Sequence, residues 1–238
     1  MKLPAGSLTD SEVDPNSMDI WQITSFTLLT ALAATALMVP PGLALAWLLA
    51  RRRFRGRVLV ETLVSLPLVM PPVATGLILL LLFSPRGPIG GLLSRIGIDV
   101  VFTWRAVVLA MTVMGLPLFV RTLRAGFEQV DRRYEAIAGT LGASPLRVFF
   151  SITLPLAFPA LAAGAVLGFA RAIGEFGATI MIAGSIPGVT RTLPVAIYTF
   201  TEIGRDREAA GLLAVSAGIA FAALWLSNYL TSRAGLRT

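Results

Sequence analysis

Cysteine and histidine are both missing from the 238 residues of this chain. Without cysteine there is no disulfide framework and no thiolate metal site, and without histidine the commonest metal ligand and proton shuttle is gone. No bound metal and no acid/base catalysis are therefore expected. Lysine occurs once, at Lys2, so the Gly-Lys-Ser/Thr signature of a phosphate-gripping loop cannot form. The chain is not expected to hydrolyse ATP, and nothing in it points to an enzyme or to a cofactor of its own. Charged residues of both signs make up only 14% of the chain.

Apolar residues make up 55%, and the mean hydropathy is +0.79. That balance belongs to an all-α integral membrane protein rather than a soluble domain. A bilayer core about 30 Å thick takes roughly 20 apolar residues per helix, and charge-poor runs of that order recur. They fall at residues 20–50, 58–83, about 106–120, about 153–183 and about 209–230. Residues 1–19 and 233–238 read as polar tails, the first poorly ordered, around a membrane domain at 20–232. The stretch 193–203 is apolar but too short to cross, which suits an external or re-entrant helix; five crossings result, with a sixth left open.

The net charge of +7 does not point to nucleic acid, because nineteen of the twenty basic residues are arginines gathered near the ends of apolar runs. Alternate loops hold twelve basic residues against seven, the richer set being 51–57, 121–147 and 233–237. By the positive-inside rule that set faces the cytoplasm, leaving the N-terminus outside and the C-terminus inside.

The stretch "YEAIAGTLGASPLRVFFSITLP" (134–155) is polar and glycine-broken between two apolar runs. Asp131 suits a helix N-cap, and Tyr134, Ile137, Ala138 and Leu141 then share one face. Gly142 can end that helix in the left-handed conformation. Ser144 and Pro145 read as the N-cap and first position of a second short helix, with Leu146, Phe149 and Phe150 on one side. A new span is expected to start at Thr153-Leu154-Pro155. Such a helix pair either inserts into a groove on another protein or packs on its own bundle.

Within the apolar runs, Pro40, Pro41, Pro67, Pro71 and Pro72 each remove a backbone donor, so kinks or breaks are expected there. These either line a pathway or only shape the bundle. Ala160, Gly164, Gly168 and Ala172 form a small-residue stripe for close helix packing. Arg171 and Glu175 stand four apart on what reads as one helix face; a brace or gate element, a substrate contact and an interfacial location all fit.

The 134–155 stretch resembles the cytoplasmic "EAA" motif of binding-protein-dependent ABC importer permeases. From Gly142 onward the spacing matches at Ile152, Leu154 and Pro155; before it, Ala136 stands in the glutamate place, Ile137 and Ala138 in the alanine places, and Glu135 sits one residue early. "LPLVMPPVATG", "ARAIGEFGATIMIAG" and "IPGVTRTLPVAIYT" look like the molybdate-type permeases of that superfamily. The Gly-Glu-Phe-Gly region is shared with sulfate permeases, so the phrase around Arg191 carries most of the discrimination.

The resemblance implies a type I importer fold and a homodimer in a bacterial or archaeal inner membrane. It also implies two cytoplasmic ATPase subunits that hold ATP and magnesium, and an external oxyanion-binding protein. Tyr134, Glu135, Ala138, Leu141, Gly142, Ala143, Ser144 and Pro145 would couple to the ATPase, in a helix pair at about 131–152. Pro71, Pro72, Arg171, Glu175 and Thr179 would belong to the pathway or gate. The cargo would be molybdate or tungstate, with sulfate or thiosulfate as the alternative. An ion-coupled carrier is the rival from another class; it needs titratable groups in the membrane, where Glu175 is nearly alone.

Overall fold

The structure is a computed structural model that describes residues 20–233, so both expected tails lie almost wholly outside the described residues. Every regular element among those residues is helical. Helix α1 (Ile20–Arg51) is followed by α2 (Arg57–Val69), α3 (Pro72–Phe83), the short α4 (Gly90–Arg95) and the long α5 (Trp104–Gln129). Then come α6 (Arg132–Thr140), α7 (Pro145–Val148), a π-helical turn (Phe149–Thr153), α8 (Leu154–Ile173), α9 (Gly177–Ala183), α10 (Leu193–Glu202) and α11 (Asp206–Arg233).

Four helices are long and apolar enough to cross a membrane, and five crossings result if the bent pair α2–α3 is one span. The packing supports counting it so. Glu61 of α2 pairs with Arg124 near the end of α5, whereas Phe83 of α3 packs on the core cluster that includes Ala106, Val107 and Val108 near its start. The pair therefore runs the length of α5 despite its 114° bend.

Helix α5 is the central pillar, with Met111, Met114, Phe119, Leu123 and Phe127 fully buried. The predicted stripe on α8 faces it. Ala160 lies against Gly126, a Cβ at Gly164 would fall 3.3 Å from the Phe119 carbonyl oxygen, and Gly168 abuts Met38 and Phe119. In lipid there is little hydrophobic drive between helices, so close backbone approach through small residues supplies the attraction.

The structure corrects several boundaries. The third span does not stop at Val120, because α5 carries Arg121 and Arg124 onward to Gln129. The Arg124 guanidinium bonds Glu61 at 2.7 Å and Glu128 at 2.8 Å, so charge ends the apolar run without ending the helix. The second run is two helices, interrupted at Met70 and Pro71. The fourth does not restart at Thr153: α7, the π turn and α8 follow without a gap from Pro145, and the break comes instead after Ile173. Pro40 and Pro41, expected to kink or break the first span, sit inside an uninterrupted α1. The 193–203 stretch forms α10, ten residues long, packed beside Ile23 at the start of α1.

Candidate coupling surface and helix-break centre

Helix α6 starts where the Asp131 carboxylate accepts from the Arg133 amide at 2.9 Å. It ends at Gly142, whose φ of +84° lies in the left-handed region that favours glycine. The Ser144 hydroxyl then accepts from the Arg147 amide at 3.4 Å, with Pro145 in the first turn of α7. Local capping chemistry thus builds the hairpin as the sequence predicts.

Its outer face has no partner among the described residues. Tyr134 is 56% exposed, Ile137 58% and Leu141 82%, on a helix that also carries Arg132, Arg133 and Glu135. Together with Ile152 and Pro155 these residues border an open groove of about 600 Å³. An apolar face on a polar helix is where another protein would be expected to dock. Ala138 and Ala143 are half-buried beneath it; Gly142, Ser144 and Pro145 are exposed at its turn.

Glu135 is the exception in the predicted coupling set. It turns inward, its Oε1 lying 3.0 Å from the Arg51 guanidinium and accepting from the Thr153 hydroxyl at 2.7 Å. Arg51 also donates to the Val130 carbonyl at 3.0 Å, and its side chain is only 7% exposed. This latch ties α6 to the end of α1 and to the π turn. Phe149 of that turn sits between Trp47 and Phe127, with ring centroids 5.9 Å and 6.1 Å away. Sequence reading missed Arg51 and Thr153; the acid standing one place out of the motif was the available signal.

The predicted pathway residues gather elsewhere, where two broken helices meet. A Cβ at Gly177, the first residue of α9, would fall 2.8 Å from Pro72 Cβ, and one at Gly76 would fall 2.7 Å from Ala178 Cα. The breaks at Pro71 and after Ile173 are therefore brought side by side, and the candidate coupling hairpin is not part of this centre. Arg171 and Glu175 pair at 2.8 Å, but not on one helix. Arg171 belongs to α8, whereas Glu175 lies in the break, 1% exposed, and its Oε1 accepts from the Ala178 amide at 2.7 Å. One carboxylate thus balances a cation and satisfies a donor freed by the break, which makes a membrane-embedded charge tolerable. Thr179 is buried beside it, and its hydroxyl, like that of Thr75, has no partner among the described residues. Pro71 and Pro72 are exposed.

Arg191 precedes α10 and is 5% exposed. It donates to the Ser185 hydroxyl at 3.1 Å and the Ser185 carbonyl at 3.5 Å, and burial pushes its pKa below the ordinary guanidinium range.

The bundle has two interrupted helices and an exposed hairpin, and residues 42–234 match the family described as binding-protein-dependent transport system inner membrane component, a class of membrane transport proteins. The chain belongs to that family. It is 44% identical over 221 residues to the molybdenum transport system permease protein ModB of Escherichia coli K12, covering 90% of this chain and 96% of that protein. It is 38% identical over 211 residues to the sulfate transport system permease protein CysT of Salmonella typhimurium LT2, covering 89% of this chain and 76% of that protein. Its fold matches a chain of a bacterial alginate ABC transporter solved with its periplasmic protein, with a TM-score of 0.68 at 19% identity over 90% of this chain and 78% of that one.

Replacing Glu175 separates its two tasks. Glu175→Gln keeps an acceptor for the Ala178 amide and loses the ion pair, so it should lower the detergent-solubilised melting temperature less than Glu175→Ala, which leaves both partners unmet at a cost of about 1–3 kcal/mol. Equal melting temperatures for the two variants would show that the cap contributes nothing.

Proposed function

We propose that this chain is the non-catalytic, membrane-crossing subunit of an ATP-driven importer, and that its cargo is molybdate. The carrying observation is the exposed apolar face of Tyr134, Ile137 and Leu141, without a partner among the described residues and presented next to the Gly142 turn at one end of the bundle. That face suits insertion into a groove of a separate ATPase, which would hold the ATP and magnesium. Two copies of this chain would dock two ATPases, and a binding protein on the opposite side would deliver the anion. The hairpin end, rich in arginine, would face the cytoplasm, with the N-terminus outside.

Molybdate is favoured over sulfate because similarity is higher and more complete to the molybdenum permease, at 44% identity and 96% of its length, than to the sulfate permease, at 38% and 76%. In this scheme ATP binding draws the docked hairpins together and opens the bundle outward, and hydrolysis resets it. The paired breaks at Pro71 and after Ile173 supply the flexible points, with Arg171 and Glu175 as the brace across one of them.

Vesicles carrying the chain with its ATPase and binding protein should take up molybdate only with ATP, and excess sulfate should compete poorly. Uptake that survives without ATP but collapses with an uncoupler would identify an ion-coupled carrier instead. Gly142→Asp should remove both uptake and stimulated ATPase activity: nothing lies within 4 Å of a Cβ there, but the φ of +84° strains any residue with a side chain, so the damage falls on the exposed turn rather than on the bundle. Unimpaired uptake in that variant would overturn docking at the hairpin. With no native cysteine, single cysteines at Ser144 and Ser185 report sidedness. Impermeant reagent outside intact cells should label only the second, and the reverse pattern would invert the orientation.

A further inference from the structure

The run Arg51 to Arg57, "RRRFRGR", joins α1 to α2 through Gly56, whose φ is +93°. Two of its five arginines meet carboxylates, Arg51 with Glu135 at 3.0 Å and Arg57 with Glu128 at 4.0 Å. Among the described residues, Arg52, Arg53 and Arg55 have no carboxylate within ion-pair distance, and all three are exposed. The nearby acids Glu61 and Glu128 are already engaged by Arg124. Three like charges within four residues repel one another and favour an external anion.

The surroundings say which anion fits. The Arg52 guanidinium lies 5.7 Å from the ring centroid of Trp47, one turn back toward the membrane. Directly after the run, Val58 is 78% exposed and Leu59 63% exposed on a membrane-crossing helix. Cations thus stand at the level where α1 leaves the membrane, an aromatic ring lies beneath them, and apolar side chains face outward beside them. An acidic protein surface would neutralise the arginines and leave Val58 and Leu59 unmatched. A phospholipid with a negative headgroup meets both, its phosphate against the guanidiniums and its acyl chains against the apolar residues. We propose that Arg52, Arg53 and Arg55, with Trp47, form a binding site for an anionic phospholipid headgroup. The site adjoins the Arg51–Glu135 latch, so an occupied headgroup would sit beside the joint between α1 and the hairpin.

The test uses the full chain with Trp21, Trp104 and Trp225 changed to Phe, so that Trp47 alone fluoresces. In bilayers, brominated phosphatidylglycerol should quench Trp47 at several-fold lower mole fraction than brominated phosphatidylcholine. That preference should weaken with salt, shrink with each arginine changed to Gln and be gone when all three are changed. Changing all three to Lys keeps the charge and should retain most of it, which guards against a variant that merely misfolds. Equal quenching by the two lipids in the chain with its arginines intact would overturn the proposal. So would a preference that survives Arg52→Gln, Arg53→Gln and Arg55→Gln together. If that triple change instead abolished ATPase assembly and left lipid selectivity untouched, the patch would be a protein contact and the proposal would also fail.

Discussion

The close approach of α5 and α8 is the contact on which the rest of the molecule depends. Gly126 meets Ala160, Gly164 meets Phe119 and Gly115 meets the backbone of Gly168, so the two helices approach to a separation that no larger side chain would permit. Lipid offers no gain from merely hiding apolar surface, and interfaces in it depend on dispersion at short range. This seam fixes α8 to the buried pillar over most of its length. The two candidate regions hang from opposite ends of that fixed helix, the π turn and hairpin at its start and the Glu175 break at its finish.

Charge is used sparingly and at particular places. Among the described residues, the inward-facing ion pairs stand where the backbone changes course: Arg51–Glu135 where α1 ends and α6 begins, and Arg171–Glu175 where α8 gives way to α9. A buried pair is a poor source of net stability, but removing one partner is costly, which makes such pairs effective at specifying one arrangement. Glu135 gains a second anchor in Thr153, joining three elements at one carboxylate. A hairpin fastened in this way should follow α1 and α8 if it is displaced, rather than flex on its own.

Local signals in the sequence were legible and long-range ones were not. Asp131, Gly142, Ser144 and Pro145 each act on neighbours within a few residues, and each occupies its predicted capping or turn position. The Glu135–Arg51 pair joins residues 84 apart along the chain and leaves no local trace. The prolines show the same divide. Pro40–Pro41 and Pro71–Pro72 look alike in sequence, but α1 is pinned on both sides of its prolines by buried Met38 and Ala46, whereas α2 has no buried residue to hold it in line with α3. Arg171 and Glu175 were legible as a pair, yet the helix breaks over residues 174–176 between α8 and α9, so the carboxylate becomes a cap as well as a counter-ion.

The central claim is that the hairpin and the end of α1 form one rigid unit. Its most direct test is a distance measured between spin labels on cysteines introduced at Arg53 and Ala136, both exposed, in a chain that has no other cysteine. Labelled copies diluted with unlabelled ones in the assembled transporter should give the same narrow distance without nucleotide and with trapped ATP. A distance that shifts or broadens on ATP binding would show that the hairpin moves independently of α1, contradicting the account.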